Sequence, residues 1–257
     1  MNQNSDSPNL PSSQSDQAGP AKRLSIAIVI PCYNMARYLF RAVLSGLWQL
    51  EPQDELIVVD DASSDLDEYA GLRPFLDRLT WIRNPKNLGL PGSRNVAIRA
   101  TEVDWIKFLD ADDVLAPYAL NVIRDPDDPI PPGVQVVAGG CHRVINNNYV
   151  DFLYSSDESM QSIMSRNPLL CSAVFARRSA LLEVGLFDDR LDFEEDWDMW
   201  LRLNERYGLG AFAHTLAPFC YYWISDSDRR EKHRTAMVEG MNVREYFRKR
   251  YGATPSD

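Results

Sequence analysis

The sequence predicts a single α/β domain built on a central, mostly parallel sheet, and three observations carry that prediction. From Leu24 onward, short apolar runs alternate with amphipathic segments, the pattern of βαβ units. The early runs are apolar throughout and rich in β-branched residues, as strands covered on both faces require. Polar segments follow directly behind three of them, where an open parallel sheet places its ligands. At 257 residues the chain is long enough to bury a substantial core.

Taken in order, residues 1–21 are a disordered tail, because the stretch is rich in Ser, Asn, Gln, Asp and Pro and holds too little apolar surface to offset its ordering entropy. Ser25-Ile26-Ala27-Ile28-Val29-Ile30 reads as the first buried strand, ended by Pro31. Leu39, Val43, Leu47 and Leu50 fall at helical spacing, and Pro52 closes that helix. Glu55 to Asp60 is the second strand and Trp81-Ile82-Arg83 a shorter one, after which Pro91 opens a helix through Asn95, Ile98 and Ala100. Trp105 to Leu109 is the next strand, running into a cluster of carboxylates. Pro126, Pro129, Pro131 and Pro132 mark a loop before a strand around Val134 to Ala138. Ser172 to Phe175 reads as a strand, Ser179 to Val184 as a short helix ended by Gly185, and Glu194 to Tyr207 as a longer one ended by Gly208. The basic stretch from Arg229 to Tyr251 is expected to be helical.

Composition excludes some functions. Acidic side chains number 37 against 27 basic ones, so phosphate neutralisation on nucleic acid is not the chain's main task. Cys32, Cys141, Cys171 and Cys220 lie far apart without a C-x-x-C pair, which suggests reduced, buried thiols in a cytoplasmic protein. No apolar stretch approaches the roughly 18 residues of a membrane span, and the start lacks the pattern of a signal peptide. A dinucleotide fingerprint G-x-G-x-x-G is missing after the first strand.

The three polar segments at strand ends are Pro31-Cys32-Tyr33-Asn34, Asp60-Asp61-Ala62-Ser63-Ser64-Asp65 and Asp110-Ala111-Asp112-Asp113. Carboxylates so close together raise one another's pKa unless a cation neutralises them. Mg²⁺ or Mn²⁺ suits such a loop, since both prefer oxygen ligands and keep positions open for substrate phosphates. The plain alternative is a solvated acidic turn capping the helix near Pro117.

Four segments together resemble glycosyltransferase family 2, over about Ser25 to Asp113. Ser25 to Asn34 resembles its opening strand and nucleotide loop, and Leu56 to Asp65 its second strand, with Ala62 where Gly is commoner. Asn87-Leu-Gly-Leu-Pro-Gly-Ser-Arg-Asn95 resembles its Arg-Asn segment, and Phe108 to Asp113 its DxD region. The resemblance implies a GT-A type, Rossmann-like fold, with a donor half over residues 22–115 continuous with an acceptor half over 116–257. It implies an inverting transfer from a nucleotide-diphosphate sugar, with UDP the commonest base, to a glycan or lipid-linked acceptor in surface polysaccharide or glycolipid synthesis. Pro31, Tyr33, Asn34, Asp60, Asp61, Arg94 and Asp110 are then the donor-site candidates, and Asp112 with Asp113 the metal-site candidates. Asp60 and Asp61 as an Asx turn, and Arg94 as a surface ion pair, are the structural alternatives.

Phe193 to Arg202 resembles the family's acceptor-side Glu-Asp motif, which makes Asp196 the catalytic base and Glu195 its neighbour; Glu194 and Asp198 leave the register open. Family members often carry a His after the late strand, whereas here Tyr221 to Ile224 is followed by Ser225-Asp226. His233 is the candidate metal partner in its place, the alternative being a solvated helix face. His142 and His214 read as structural. Trp197, Trp200 and Trp223 are candidates for stacking on an acceptor sugar, although helical spacing points to core. The basic segment Arg244 to Arg250 is a candidate for peripheral membrane contact, with a solvated helix as the alternative. Two other classes share the pattern: a nucleotidyltransferase, which needs a Gly-rich basic loop after the first strand, and a non-catalytic carbohydrate-binding protein.

Overall fold

A computed structural model describes residues 23–224, 237–238 and 241–252. In chain order the elements are β1 (Ile26–Cys32), α1 (Ala36–Leu47), β2 (Glu55–Asp60), a 3₁₀ segment (Leu66–Arg78), β3 (Thr80–Arg83), α2 (Gly89–Arg99), β4 (Trp105–Phe108), β5 (Val114–Leu115) and α3 (Asn121–Arg124). They continue with β6 (Val136–Ile145), β7 (Asn148–Leu153), α4 (Asp157–Met160), β8 (Val174–Arg177), α5 (Arg178–Glu183), α6 (Glu195–Tyr207), β9 (Phe212–Ile224), β10 (Met237–Val238), β11 (Met241–Asn242) and α7 (Val243–Tyr251). Among the described residues the main sheet runs β3-β2-β1-β4-β8-β6-β9-β5, with β7 on the free part of β6. The four strands β3, β2, β1 and β4 are parallel to one another, whereas β8 enters antiparallel to β4 and β6 antiparallel to β8. The sheet is thus parallel through the first half and mixed through the second.

The uninterrupted apolar strands follow from burial on two faces. Ala27, Val29, Ile57 and Val59 pack with Ile98 of α2 and Trp200 of α6, while Ile26, Ile28, Ile30, Leu56 and Val58 pack with Leu39, Val43 and Leu47 of α1. Successive side chains feed opposite layers, so apolar residues are favoured at every position in the run. Each such side chain contributes about 1.5–3 kcal/mol of burial. A Cβ on Gly46 of α1 would lie 2.8 Å from Leu56 Cδ1 and 2.9 Å from Ile28 Cδ1, so α1 approaches β1 and β2 closely there and a larger residue would displace those two side chains.

Strand β2 occupies the residues expected for it, and the other early elements agree within a few positions. Pro31, expected to end β1, lies inside it. Val29 O accepts from Leu109 N–H on the β4 side, and by strand alternation Pro31 faces that side too, where β4 has already ended and no ladder donor is required. The strand expected at Ser172 to Phe175 begins instead at Val174, because Ser172 is held out of the ladder by Lys107 Nζ on its carbonyl and Asp110 N–H on its hydroxyl. Of the stretch from Arg229 to Tyr251 expected to be helical, Val243–Tyr251 is a helix, whereas Met237–Val238 and Met241–Asn242 form an antiparallel strand pair. Residues 225–236, with His233, lie outside the described residues. Among the described residues no helix is long and apolar enough to cross a membrane.

Candidate active site

The loops behind β1, β2 and β4 border a cavity of about 890 Å³ that extends to the amino end of α6. On its first wall, Asp61 is 2% exposed and its carboxylate accepts from Leu88 N–H at 2.8 Å, Gly89 N–H at 2.9 Å and Asn84 Nδ2 at 2.8 Å. Three of about four acceptor positions on the carboxylate are therefore used to shape the turn that opens α2. Pro31, Tyr33 and Asp61 line the cavity. Asn34 and Asp60 brace it: Asn34 Oδ1 accepts from Ser64 N–H at 2.8 Å, and fully buried Asp60 accepts from Ser63 N–H at 2.9 Å and pairs with Arg83. Ala62 takes a φ of 61°, a left-handed conformation that favours Gly, so the alanine at this position is strained.

The second wall is the Asp110 to Asp113 turn. Asp110 and Asp112 are half-buried and line the cavity. Asp113 is fully buried, accepts from Trp223 N–H at 3.0 Å, and its Oδ2 has no hydrogen-bond partner. Burial, then the charges of Asp112 and Asp110, push its carboxyl well above the usual range. Arg41 of α1 donates to Asp112 O and lies 4.1 Å from the Trp223 ring. Behind the turn, fully buried Lys107 donates through Nζ to Phe108 O at 2.7 Å, and burial lowers its pKa. Among the described residues no group of three or more His, Cys, Asp or Glu is arranged to hold a metal by itself.

The third wall carries the Glu-Asp pair. Glu194 has a φ of 58°, and from this left-handed turn α6 begins at Glu195, with Asp196 and Asp198 also at the positive end of its dipole. Glu195 is occupied: buried Arg94 donates to it at 2.7 Å and to Asp110 at 2.8 Å, joining the second wall to the third. Arg94 is 1% exposed and therefore bridges two carboxylates behind the cavity rather than standing at the surface. One residue on, Asn95 clamps Phe187, donating to its carbonyl at 2.8 Å and accepting its N–H at 2.9 Å. Asp196 lines the cavity and accepts from Asn167 Nδ2 at 3.0 Å and Trp197 N–H at 2.8 Å. Its carboxyl is held well above the usual range, first by burial and then by Glu195 and Glu194, with Arg94 opposing. A carboxylate so raised is a stronger base than a solvated one.

Other candidates fall outside this constellation. Trp197 and Trp200 are core: Trp197 stacks on Phe247 of α7 at 4.5 Å and donates to Ile163 O at 2.7 Å. Trp223 does line the cavity. His142 stacks on Tyr221 at 5.0 Å, and His214 meets Ser155 Oγ at 3.0 Å, its pKa lowered by burial. In α7, Phe247 is buried and Arg250 pairs with Asp188 at 3.0 Å, leaving Arg248 and Lys249 exposed. Sequence reasoning missed Asn84 and Asn167, which hold Asp61 and Asp196, and the segment from Leu153 to Leu170 that forms much of the far wall. Neither asparagine stands in a local pattern that marks it.

Comparisons with known proteins bear on the family and the fold. The family model described as glycosyl transferase family 2 matches residues 27–181. Chondroitin synthase of Escherichia coli is 29% identical over 206 residues, covering 76% of this chain and 28% of that protein. The putative colanic acid biosynthesis glycosyl transferase WcaA of Escherichia coli K12 is 27% identical over 188 residues, 71% of this chain and 67% of that protein. The chain spans less than a third of the length of several curated relatives that it matches. Among solved structures, TarS 1–349 of Staphylococcus aureus in complex with UDP-GlcNAc superposes with a TM-score of 0.64 at 19% identity, over 84% of this chain and 62% of that one. The mannosyltransferase PcManGT of Pyrobaculum calidifontis, in complex with GDP-Man and Mn²⁺, gives 0.57 at 17% identity, over 83% and 60%. At these identities the structures show a shared GT-A fold, and because the family model covers well over half of its length, the chain belongs to glycosyltransferase family 2.

Proposed function

We propose that this glycosyltransferase transfers a sugar, with inversion, from a nucleotide-diphosphate sugar to the hydroxyl of a glycan or lipid-linked acceptor, in the cytoplasm and in the service of polysaccharide or glycolipid assembly. The observation that carries the reading is that Asp112 and Asp196, from distant parts of the sequence, border one cavity. UDP is the favoured base, in keeping with the ligand of TarS. Asp61, Tyr33 and Pro31 face the nucleoside and Asp110 its ribose, while Asn34, Asp60 and Arg94 hold these groups in place.

A sugar hydroxyl is a poor nucleophile, and Asp196, kept basic by burial and by its acidic neighbours, takes its proton as it attacks the anomeric carbon. Asn167 aims that carboxylate, and Arg94 keeps Glu195 paired beside it. A single displacement from the face opposite the diphosphate inverts the anomeric centre. The Asp110 to Asp113 turn fits a divalent cation, since Asp110 and Asp112 line the cavity together and their charges help to push the buried Asp113 carboxyl upward, a crowding that a bound cation would relieve. Asp112, with Asp113 behind it, would hold Mn²⁺ or Mg²⁺, which when bound supplies positive charge to the departing diphosphate. The four cysteines are free and buried, as suits a reducing compartment.

Calorimetric titration of UDP, GDP, CDP and dTDP with and without Mn²⁺, on the native chain and on Asp112→Ala, tests the donor site. Binding of one nucleotide that needs Mn²⁺ and is lost in the variant is expected. No metal-dependent binding of any of the four would refute the reading.

A further inference from the structure

We propose that Arg166 is the acceptor-recognition residue of this site and that it selects acceptors carrying an oxyanion, a carboxylate or a phosphate, near the reacting hydroxyl. The proposal rests on the glycosyl-transfer reading above and names the acceptor class that reading leaves open.

Arg166 is the one Lys or Arg among the described residues lining the cavity, against seven Asp and Glu side chains. Most of that acidity is already engaged. Three N–H groups meet Asp61, and Arg94 pairs with both Asp110 and Glu195. Arg166 enters none of these pairs. Its Nε donates to Ser162 Oγ at 2.9 Å, which fixes the guanidinium plane, while its two terminal nitrogens make no hydrogen bond or ion pair within the described residues. An arginine braced on one side and open on the other presents the two-pronged donor geometry that matches a carboxylate or phosphate.

Its place assigns the anion to the acceptor rather than the donor. Asn167, the next residue, aims the base Asp196, so Arg166 lines the cavity from the same segment that positions the base, whereas the donor-side loops follow β1, β2 and β4. Arg166 also belongs to the Leu153 to Leu170 wall, whose exposed Tyr154 offers an apolar ring for a sugar face. With the Asp112 side given over to the donor diphosphate and its metal, Arg166 is the cation that the cavity lining offers an anionic acceptor. The position of Arg166 therefore fixes which way an anionic acceptor lies and which hydroxyl reaches Asp196.

Saturation-transfer NMR on the full chain loaded with UDP and Mn²⁺ provides the test, with methyl glucuronide, glucose 6-phosphate and methyl glucoside as probes. At least one anionic probe is expected to bind roughly tenfold more tightly than the neutral glucoside, a gap of about 1.4 kcal/mol. The gap should close in Arg166→Gln, partly survive in Arg166→Lys, and shrink as salt is raised. The better anionic probe names the source, a uronic acid or a phosphorylated carrier. Anionic probes that bind no better than the glucoside, or a preference that persists in Arg166→Gln, would overturn the proposal. UDP binding by the native chain is read in the same samples, and its failure would instead refute the donor site. Near-UV circular dichroism establishes that Arg166→Gln is folded.

Discussion

Replacing Arg94 with methionine removes the cation that joins the Asp110 turn to the amino end of α6. The side chain is 1% exposed and makes hydrogen bonds of 2.7 and 2.8 Å to Glu195 and Asp110, so the variant strands a buried carboxylate at Glu195 and leaves Asp110 without its counter-charge. Breaking a buried pair from one side costs about 3–5 kcal/mol. At roughly 2–4 °C per kcal/mol for a domain of this size, Tm should fall by about 6–20 °C. A second signature is specific to the charge. Arg94 opposes the upward shift of Asp196, so its loss pushes that carboxyl higher still. The folded chain already holds the Asp196 proton where the unfolded chain has lost it. The group's contribution to stability is therefore present at low pH and is lost as pH rises through the folded pKa, whereas the base activity proposed for it is expected to appear over that same rise. In Arg94→Met the acid limb of kcat should move to higher pH. Thermal unfolding and a pH–rate profile measure the two effects, and pairing the substitution with Glu195→Gln should be clearly non-additive. A Tm within about 2 °C of the native value would refute the reasoning, being less than the smallest effect expected of a buried pair, as would an acid limb that moves down.

Three further substitutions probe the supports of the site. Asp61→Ala removes the acceptor for Leu88 N–H, Gly89 N–H and Asn84, and should weaken UDP binding at least tenfold by calorimetry while lowering Tm, since hydrogen bonds to a charged group are worth about 1.5–3 kcal/mol each. Ala62→Gly relieves a φ of 61° and should raise stability by about 0.5–1 kcal/mol in denaturant titration. Phe247→Ala removes the ring stacked on Trp197 and should cost about 3–5 kcal/mol, read by denaturant titration, and reduce kcat more than donor affinity because Trp197 follows Asp196 directly.

The parallel half of the fold was legible because its signals are local: Leu-Ile-Val-Val before Asp60 and Trp-Ile-Lys-Phe before Leu109 read as buried strands without reference to anything distant. The carboxylates behind them were legible for the same reason. The arrangement of Arg94 was not, since its two partners lie 16 and 101 positions away and nothing beside it in sequence names them. Strand β7 escaped notice because Tyr149, Val150 and Leu153 are all exposed, so burial does not alternate along it. The Leu153 to Leu170 wall was hidden likewise: its role comes from where β8 returns the chain, not from any period of its own.

The order of strands in the sheet also bears on how the chain leaves the ribosome. Strand β4 pairs on one side with β1, which is already made, and on the other with β8, whose first residue lies 66 positions after Phe108. At about 5–20 residues per second, one edge of the parallel half stays open for roughly 3–13 s of synthesis. Strand β6 emerges during that interval yet bonds to β8 rather than to β4. The nascent chain therefore carries an uncapped apolar edge until β8 arrives, and this interval is when a holdase chaperone has most to protect.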